Sequence, residues 1–318
     1  MLMGEISKMH FVPKTYLKRF AVERIKAGTK HYYIYALEKS NLNGKIEERN
    51  TRRICVEEDL YALPGATEEE RMLIENMYRE LYENGYDNLY KLMTDDKREI
   101  ITAEERYAIV GFVVSMFYRN NRWNNFFNGM MDDIYERAYL LSKANGKDSF
   151  YFEDKEVSIV GKTLEQLKEE NRNQDRPMIA VTTMQRILAL IRLRVNNDFI
   201  SIVKARGNFE FITSDNPVCF KGKNVNNRPV PFDPNNSLWL PIDNDHLLQV
   251  EPWADQLDWT MIGRMHEPPG FPGLIASMNN NFQFNQCEKY LLGTETGLKK
   301  FQEKPMGIVP VSHNLDRQ

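Results

Sequence analysis

The chain has 318 residues, 42% of them hydrophobic and 27% charged; these are globular values that exclude a disordered or collagen-like chain. The formal net charge is -3, so nucleic acid or a nucleotide would have to bind through a local basic patch and not through the charge of the whole molecule. Cys55, Cys219 and Cys287 are too widely spaced for a CxxC pair or a zinc-spaced Cys/His set, which points to a reducing compartment.

The first residues, Met1 to His10, carry no apolar core of signal-peptide length. Pro13 suits a first helical turn, and Val12, Tyr16, Leu17 and Phe20 then share one face of a short helix. His31 to Leu37 is aromatic and β-branched, as a strand requires, and Asn43-Gly44 has turn chemistry. A second extended stretch spans Glu47 to Cys55, and Asp59-Leu60-Tyr61 and Pro64-Gly65 close the region. A helical block from Met72 to Met93 has an apolar stripe of Ile74, Met77, Tyr78 and Leu81, with Glu75 and Glu83 at its edge.

Thr102-Ala-Glu-Glu105 fits a capping box. The helix it opens is apolar nearly all round from Tyr107 to Tyr118, the pattern of a buried central helix, and Arg119 and Arg122 follow. Its longest apolar run, Ile109 to Tyr118, is about half of the roughly 20 residues of a membrane span, so no membrane partner is expected and the cytoplasm is the natural location. Met130 to Ala144 is a third helical block. Residues 145–177 are charged and irregular, an insertion or seam with one helix from Thr163 to Asn171.

A further helix covers Ile179 to Val195. Phe199 to Val203 and Phe209 to Thr213 read as a hairpin around Arg206-Gly-Asn208, the second strand running into Ser214-Asp215-Asn216-Pro217. Lys221 to Asn236 and Pro252 to Gly273 are long loops on either side of two short strands, Ser237 to Ile242 and His246 to Glu251. Gly273 to Glu288 is helical and bears Asn279-Asn280-Asn281, Lys289 to Gly293 is a last strand, and the tail 305–318 is loosely ordered. Short scattered strands with helices grouped between them predict an α+β fold, a helical bundle on a small antiparallel or mixed sheet, in one domain over residues 1–304.

Several of these segments together resemble one family. They are His10 to Phe20 (HFVPKTYLKRF), Asp59-Leu-Tyr61, Ile74-Glu75, the helix ending in Arg119, Phe211 to Val218 (FITSDNPV), SLWLPI and Asn279 to Asn281. Over residues 9–293 the chain resembles the mainly bacterial family of domains of unknown function numbered 4238. In place of the proline that family carries soon after the arginine, this chain has Asn120-Asn121. The resemblance implies the extent of the fold and a bacterial or phage setting, and it supplies no reaction.

Candidate site residues each have a second explanation. His10 could act as acid, base or ligand, or simply bond a carbonyl at a helix start. Asp215, between Ser214 and Asn216, could hold a metal or a water, yet Asp and Asn before a proline also end a strand in an Asx turn. Arg119 and Arg122 could grip a phosphate, or offset a helix dipole and pair with Glu75. Glu75 and Glu83 could share a divalent metal or form an ion-paired edge. Asn279 and Asn281 could supply amide donors to a ligand or satisfy nearby backbone. A divalent metal is thus an open cofactor, but no GxxxxGK[ST], GxGxxG, HExxH or GxSxG motif occurs, and His246, His266 and His313 lack helical ligand spacing.

Two functions compete. One is a hydrolase acting on a phosphodiester or nucleotide, conceivably in phage defence, in which His10, Arg119, Asp215 and Glu75 converge on one pocket. The other is a protein-binding or regulatory module whose loops 221–236 and 252–273 present Trp253, Trp259 and Phe271 to a protein partner. Those aromatics could equally cover the sheet.

Overall fold

Thr102 starts the helix around which the molecule is built. In the computed structural model, which describes residues 8–303 except 59, 64–66, 153, 222–232 and 253–257, the Thr102 hydroxyl accepts from the Glu105 N–H at 3.2 Å. The Glu105 carboxylate accepts from the Thr102 N–H at 2.8 Å, which completes the reciprocal cap. Beyond the first two turns the helix is buried on every side from Ile109 to Tyr118, as its unbroken apolar run requires.

In chain order the elements begin with β1 (Lys8–His10), α1 (Lys14–Leu17), β2 (Val22–Lys26), β3 (Thr29–Glu38), β4 (Glu47–Asn50) and β5 (Val56–Glu58). Then come α2 (Glu68–Arg71), α3 (Leu73–Tyr78), α4 (Tyr86–Thr94), the central α5 (Ala103–Tyr118) and α6 (Asn121–Ala144). A β6 (Ser149–Phe152) and β7 (Lys155–Ser158) hairpin precedes α7 (Leu164–Asn197). The rest comprises β8 (Asp198–Lys204), β9 (Thr213–Ser214), β10 (Cys219–Lys221), β11 (Ser237–Pro241), β12 (His246–Pro252), β13 (Gly263–His266), α8 (Leu274–Gln286), β14 (Tyr290–Gly293) and α9 (Glu295–Glu303).

The fold is α+β. One mixed sheet has the order β10-β11-β12-β8-β13, with only the β8–β13 pair parallel. In the second sheet β3 pairs with β2, β4 and β14, and β14 also pairs with β9. A small β1–β5 pair stands apart. Ile34 of β3, Phe112 and Val113 of α5, Ile187 and Ile191 of α7, Ile200 of β8, Leu248 of β12 and Leu292 of β14 belong to one buried apolar cluster that joins both sheets to the helices. Among the described residues no helix is long and apolar enough to cross a membrane.

Four expectations change. Phe199–Val203 and Phe209–Thr213 do not form a hairpin, because β8 and β9 lie in different sheets. The backbone of the second segment is satisfied elsewhere: Phe211 N–H donates to the Asn244 carbonyl at 2.8 Å and Ile212 N–H to Asn280 Oδ1 at 2.9 Å. The helices expected at Thr163–Asn171 and Ile179–Val195 are one continuous α7, and the segment before it carries the β6–β7 hairpin. The block Met72 to Met93 is broken into α3, a π-helical turn at Arg79–Glu83, and α4. The loop 252–273 contributes β13, paired in parallel to β8, and a last helix α9 follows β14. Asp59, Pro64-Gly65, Trp253, residues 222–232 of the first loop and the tail lie outside the described residues.

Candidate functional site

The polar motif after β9 is tied into the backbone. Asp215 is 5% exposed, and its carboxylate accepts three successive N–H groups, from Glu288 at 2.9 Å, Lys289 at 2.7 Å and Tyr290 at 3.0 Å. Burial pushes its carboxyl above the ordinary range, against the pull of those three donors. Ser214 Oγ donates to Gln283 Oε1 at 2.7 Å and accepts the Asn216 N–H at 3.2 Å. Asn216 Nδ2 donates to the Gln286 carbonyl at 3.0 Å. Asn279 Nδ2 donates to the Ile212 carbonyl at 3.2 Å, and Asn281 Nδ2 to the Ser277 carbonyl of its own helix at 3.0 Å. Ser214, Asn216 and Asn279 fasten α8 to the strand segment, whereas Asn281 serves its own helix.

Arg119 and Asn120 end α5 and divide the predicted residues into two groups. Arg119 is fully buried. Its Nη1 donates to Glu83 Oε1 at 2.6 Å and its Nη2 to the His10 carbonyl at 2.6 Å, while Glu75 Oε2 lies 3.9 Å away. The guanidinium also stacks over the Tyr78 ring at 4.7 Å. Asn120 turns the other way, donating from Nδ2 to Asn216 Oδ1 at 2.6 Å and to the Phe117 carbonyl at 2.9 Å. Asn120 is thus the bridge from α5 to the β9 motif.

His10, Glu75 and Glu83 line a cavity of about 310 Å³, with Arg119 behind them. His10 Nε2 lies 3.2 Å from the Thr51 carbonyl, which selects the Nε2–H tautomer for the neutral ring. Burial holds its pKa below the ordinary value of 6.5, and burial raises that of Glu75. Asp215, Asn216 and Arg122 instead line a separate, larger cleft. The expected convergence of His10, Arg119, Glu75 and Asp215 on one pocket is therefore replaced by two sites, with Arg119 occupied by Glu83 and the His10 carbonyl.

The larger cleft has a volume of about 880 Å³. Its walls carry five cationic side chains, Arg49, Arg52, Arg53, Arg122 and Lys289, against three acidic ones, Glu48, Asp215 and Glu288. Arg49 pairs with Glu47, and Glu48 pairs with Arg24. Asp215 is engaged by backbone. Among the described residues, Arg52, Arg53 and Arg122 take part in no salt bridge. The turn after β4 presents the first two: Asn50 Oδ1 accepts the Arg52 N–H at 2.9 Å, the Asn50 carbonyl accepts the Arg53 N–H at 2.9 Å, and Cys55 closes the turn in the left-handed region at φ 55°. Phe11, His31, Tyr33 and Tyr290 add aromatic surface.

Sequence reasoning reached Arg122, Asp215 and Asn216 but missed Arg49, Arg52, Arg53, Lys289 and Tyr290. The dense arginines of Arg49-Asn-Thr-Arg-Arg53 were the available signal. Among the described residues no group of three or more His, Cys, Asp or Glu side chains is arranged to hold a metal ion. Of the loop aromatics, Trp259 stacks with the Arg106 guanidinium at 4.8 Å and Phe271 is 68% exposed.

Fold and cleft together define an α+β protein with a cationic, aromatic-edged surface cleft. The chain belongs to the family described as Protein of unknown function (DUF4238), whose model matches residues 8–294. No curated protein and no solved structure matches it.

Proposed function

We propose that the chain binds a phosphate-bearing ligand of the nucleotide or phosphodiester class in the large cleft. The observation that carries this reading is the trio Arg52, Arg53 and Arg122, three guanidinium groups facing one cleft with no salt bridge among the described residues. Guanidinium forks suit phosphate oxygens bidentately, and they act locally although the chain as a whole is acidic. Binding is better supported than a hydrolytic step. Within the cleft the Cys55 thiol is pushed up by burial, and Asp215 is engaged by three N–H donors. A cytoplasmic setting suits the three unpaired, buried thiols.

The test is titration with inorganic pyrophosphate. Wild type should bind, and an Arg52→Ala/Arg53→Ala double variant should weaken binding by about tenfold or more, with affinity falling as salt rises. The same samples report phosphate release, which would restore the hydrolase reading. Absence of binding by a folded wild type, or affinity indifferent to the arginines, removes the proposal. The protein-docking alternative has one observation in its favour, the exposed Phe271 ring in the 252–273 loop.

A further inference from the structure

A third cavity, of about 210 Å³ and distinct from the one beside His10, adjoins the cationic cleft. Asn125 lines both, and the consecutive residues Val56 and Glu57 line one each. The smaller cavity differs from its neighbour in chemistry. Tyr61, Tyr78 and Tyr118 supply aromatic wall, Ile179 and Ala180 of α7 supply apolar wall, and Asn128 places an amide beside them, while Glu57 and Arg172, the latter paired with Asp132, add charge at the lining. A cationic trough beside an aromatic chamber is a division that matches a ligand with an anionic end and a flat, weakly polar end.

We infer that the ligand is a nucleoside phosphate, its phosphate held by Arg52, Arg53 and Arg122 and its base lodged in the cavity among Tyr61, Tyr78 and Tyr118. This rests on the phosphate reading of the cleft and narrows it to a substrate class. Aromatic walls take a base through its π-face and edge, whereas inorganic phosphate gains nothing from them. An amide can both donate to and accept from a base edge, so Asn128 is the residue placed to discriminate among bases.

The experiment compares pyrophosphate with the four ribonucleoside monophosphates, by calorimetric titration of wild type, Ala180→Trp and Asn128→Ala. Ala180→Trp fills the cavity without touching the cleft. At least one monophosphate should bind wild type more tightly than pyrophosphate does, and Ala180→Trp should weaken it by about tenfold or more while pyrophosphate binding persists. Persistent pyrophosphate binding also shows that the variant is folded. Should it misfold, Asn128→Ala decides, with the predicted change being altered preference among bases at unchanged pyrophosphate affinity. If pyrophosphate binds wild type but no monophosphate binds better, the base cavity is wrong and the cleft reading stands. If wild type binds neither, the cleft reading fails and this inference goes with it.

Discussion

Asp215 is a buried carboxylate whose partners are backbone N–H groups. A carboxylate with a raised pKa could serve as a base, but consecutive backbone donors take most of the acceptor sites of Asp215, with Oδ2 accepting two of them and Oδ1 one. Asp215→Asn replaces one acceptor oxygen with an amide that cannot accept, so at least one buried N–H loses its partner. The expected loss is about 2 kcal/mol of unfolding free energy, read from urea midpoints. A variant within about 0.5 kcal/mol of wild type that nonetheless loses pyrophosphate binding would show that Asp215 acts on the ligand instead. The Ser-Asp-Asn-Pro string was visible in sequence as a polar stop to a strand. Its partners were not, because the donors lie 73 to 75 positions downstream and nothing local marks them.

Elements differ in how much their caps matter, because they differ in what they bury. Thr67 and Thr102 carry the same reciprocal cap, yet α2 buries no residue and α5 buries most of its length. Thr102→Ala should cost about 1 kcal/mol of global stability, with Thr102→Ser restoring most of it. Thr67→Ala should leave the global transition in place and only fray α2, as faster amide exchange there would report. Equal global losses for the two would contradict this ranking. The same physics explains which elements were legible. The cap and all-round apolarity of α5, the aromatic β-branched β3 and the β11–β12 pair each carry a local signal. The parallel strand β13 does not: it pairs with β8 some sixty positions earlier, and Gly263 packs against the Phe199 ring where a Cβ would lie 2.8 Å from it. The charged, irregular composition up to Pro177 hides the continuity of α7, which runs unbroken from Leu164 to Asn197.

At the scale of the whole molecule, buried titratable groups link folding to pH, and His10 gives the clearest sign. Burial, helped by the charges of Lys14 and Arg119, lowers its pKa below 6.5 against the opposing Thr51 carbonyl and Glu83. Unfolded imidazole takes up a proton near pH 6.5, where the folded ring still resists it. The unfolded chain therefore binds more protons in that window, and the stability His10 contributes is full above about pH 6.5 and lost as pH falls toward the folded value. His10→Gln keeps a side-chain donor for the Thr51 carbonyl and removes the titration. Denaturant midpoints between about pH 8 and about pH 5 should show wild type losing stability relative to His10→Gln through the acid half of the range, whatever the other carboxylates contribute to both. Parallel profiles would mean the ring titrates as it does in the unfolded chain. A gap that opens in the opposite direction would mean that Glu83 stabilises the imidazolium, which would revive His10 as a charged partner of the small cavity.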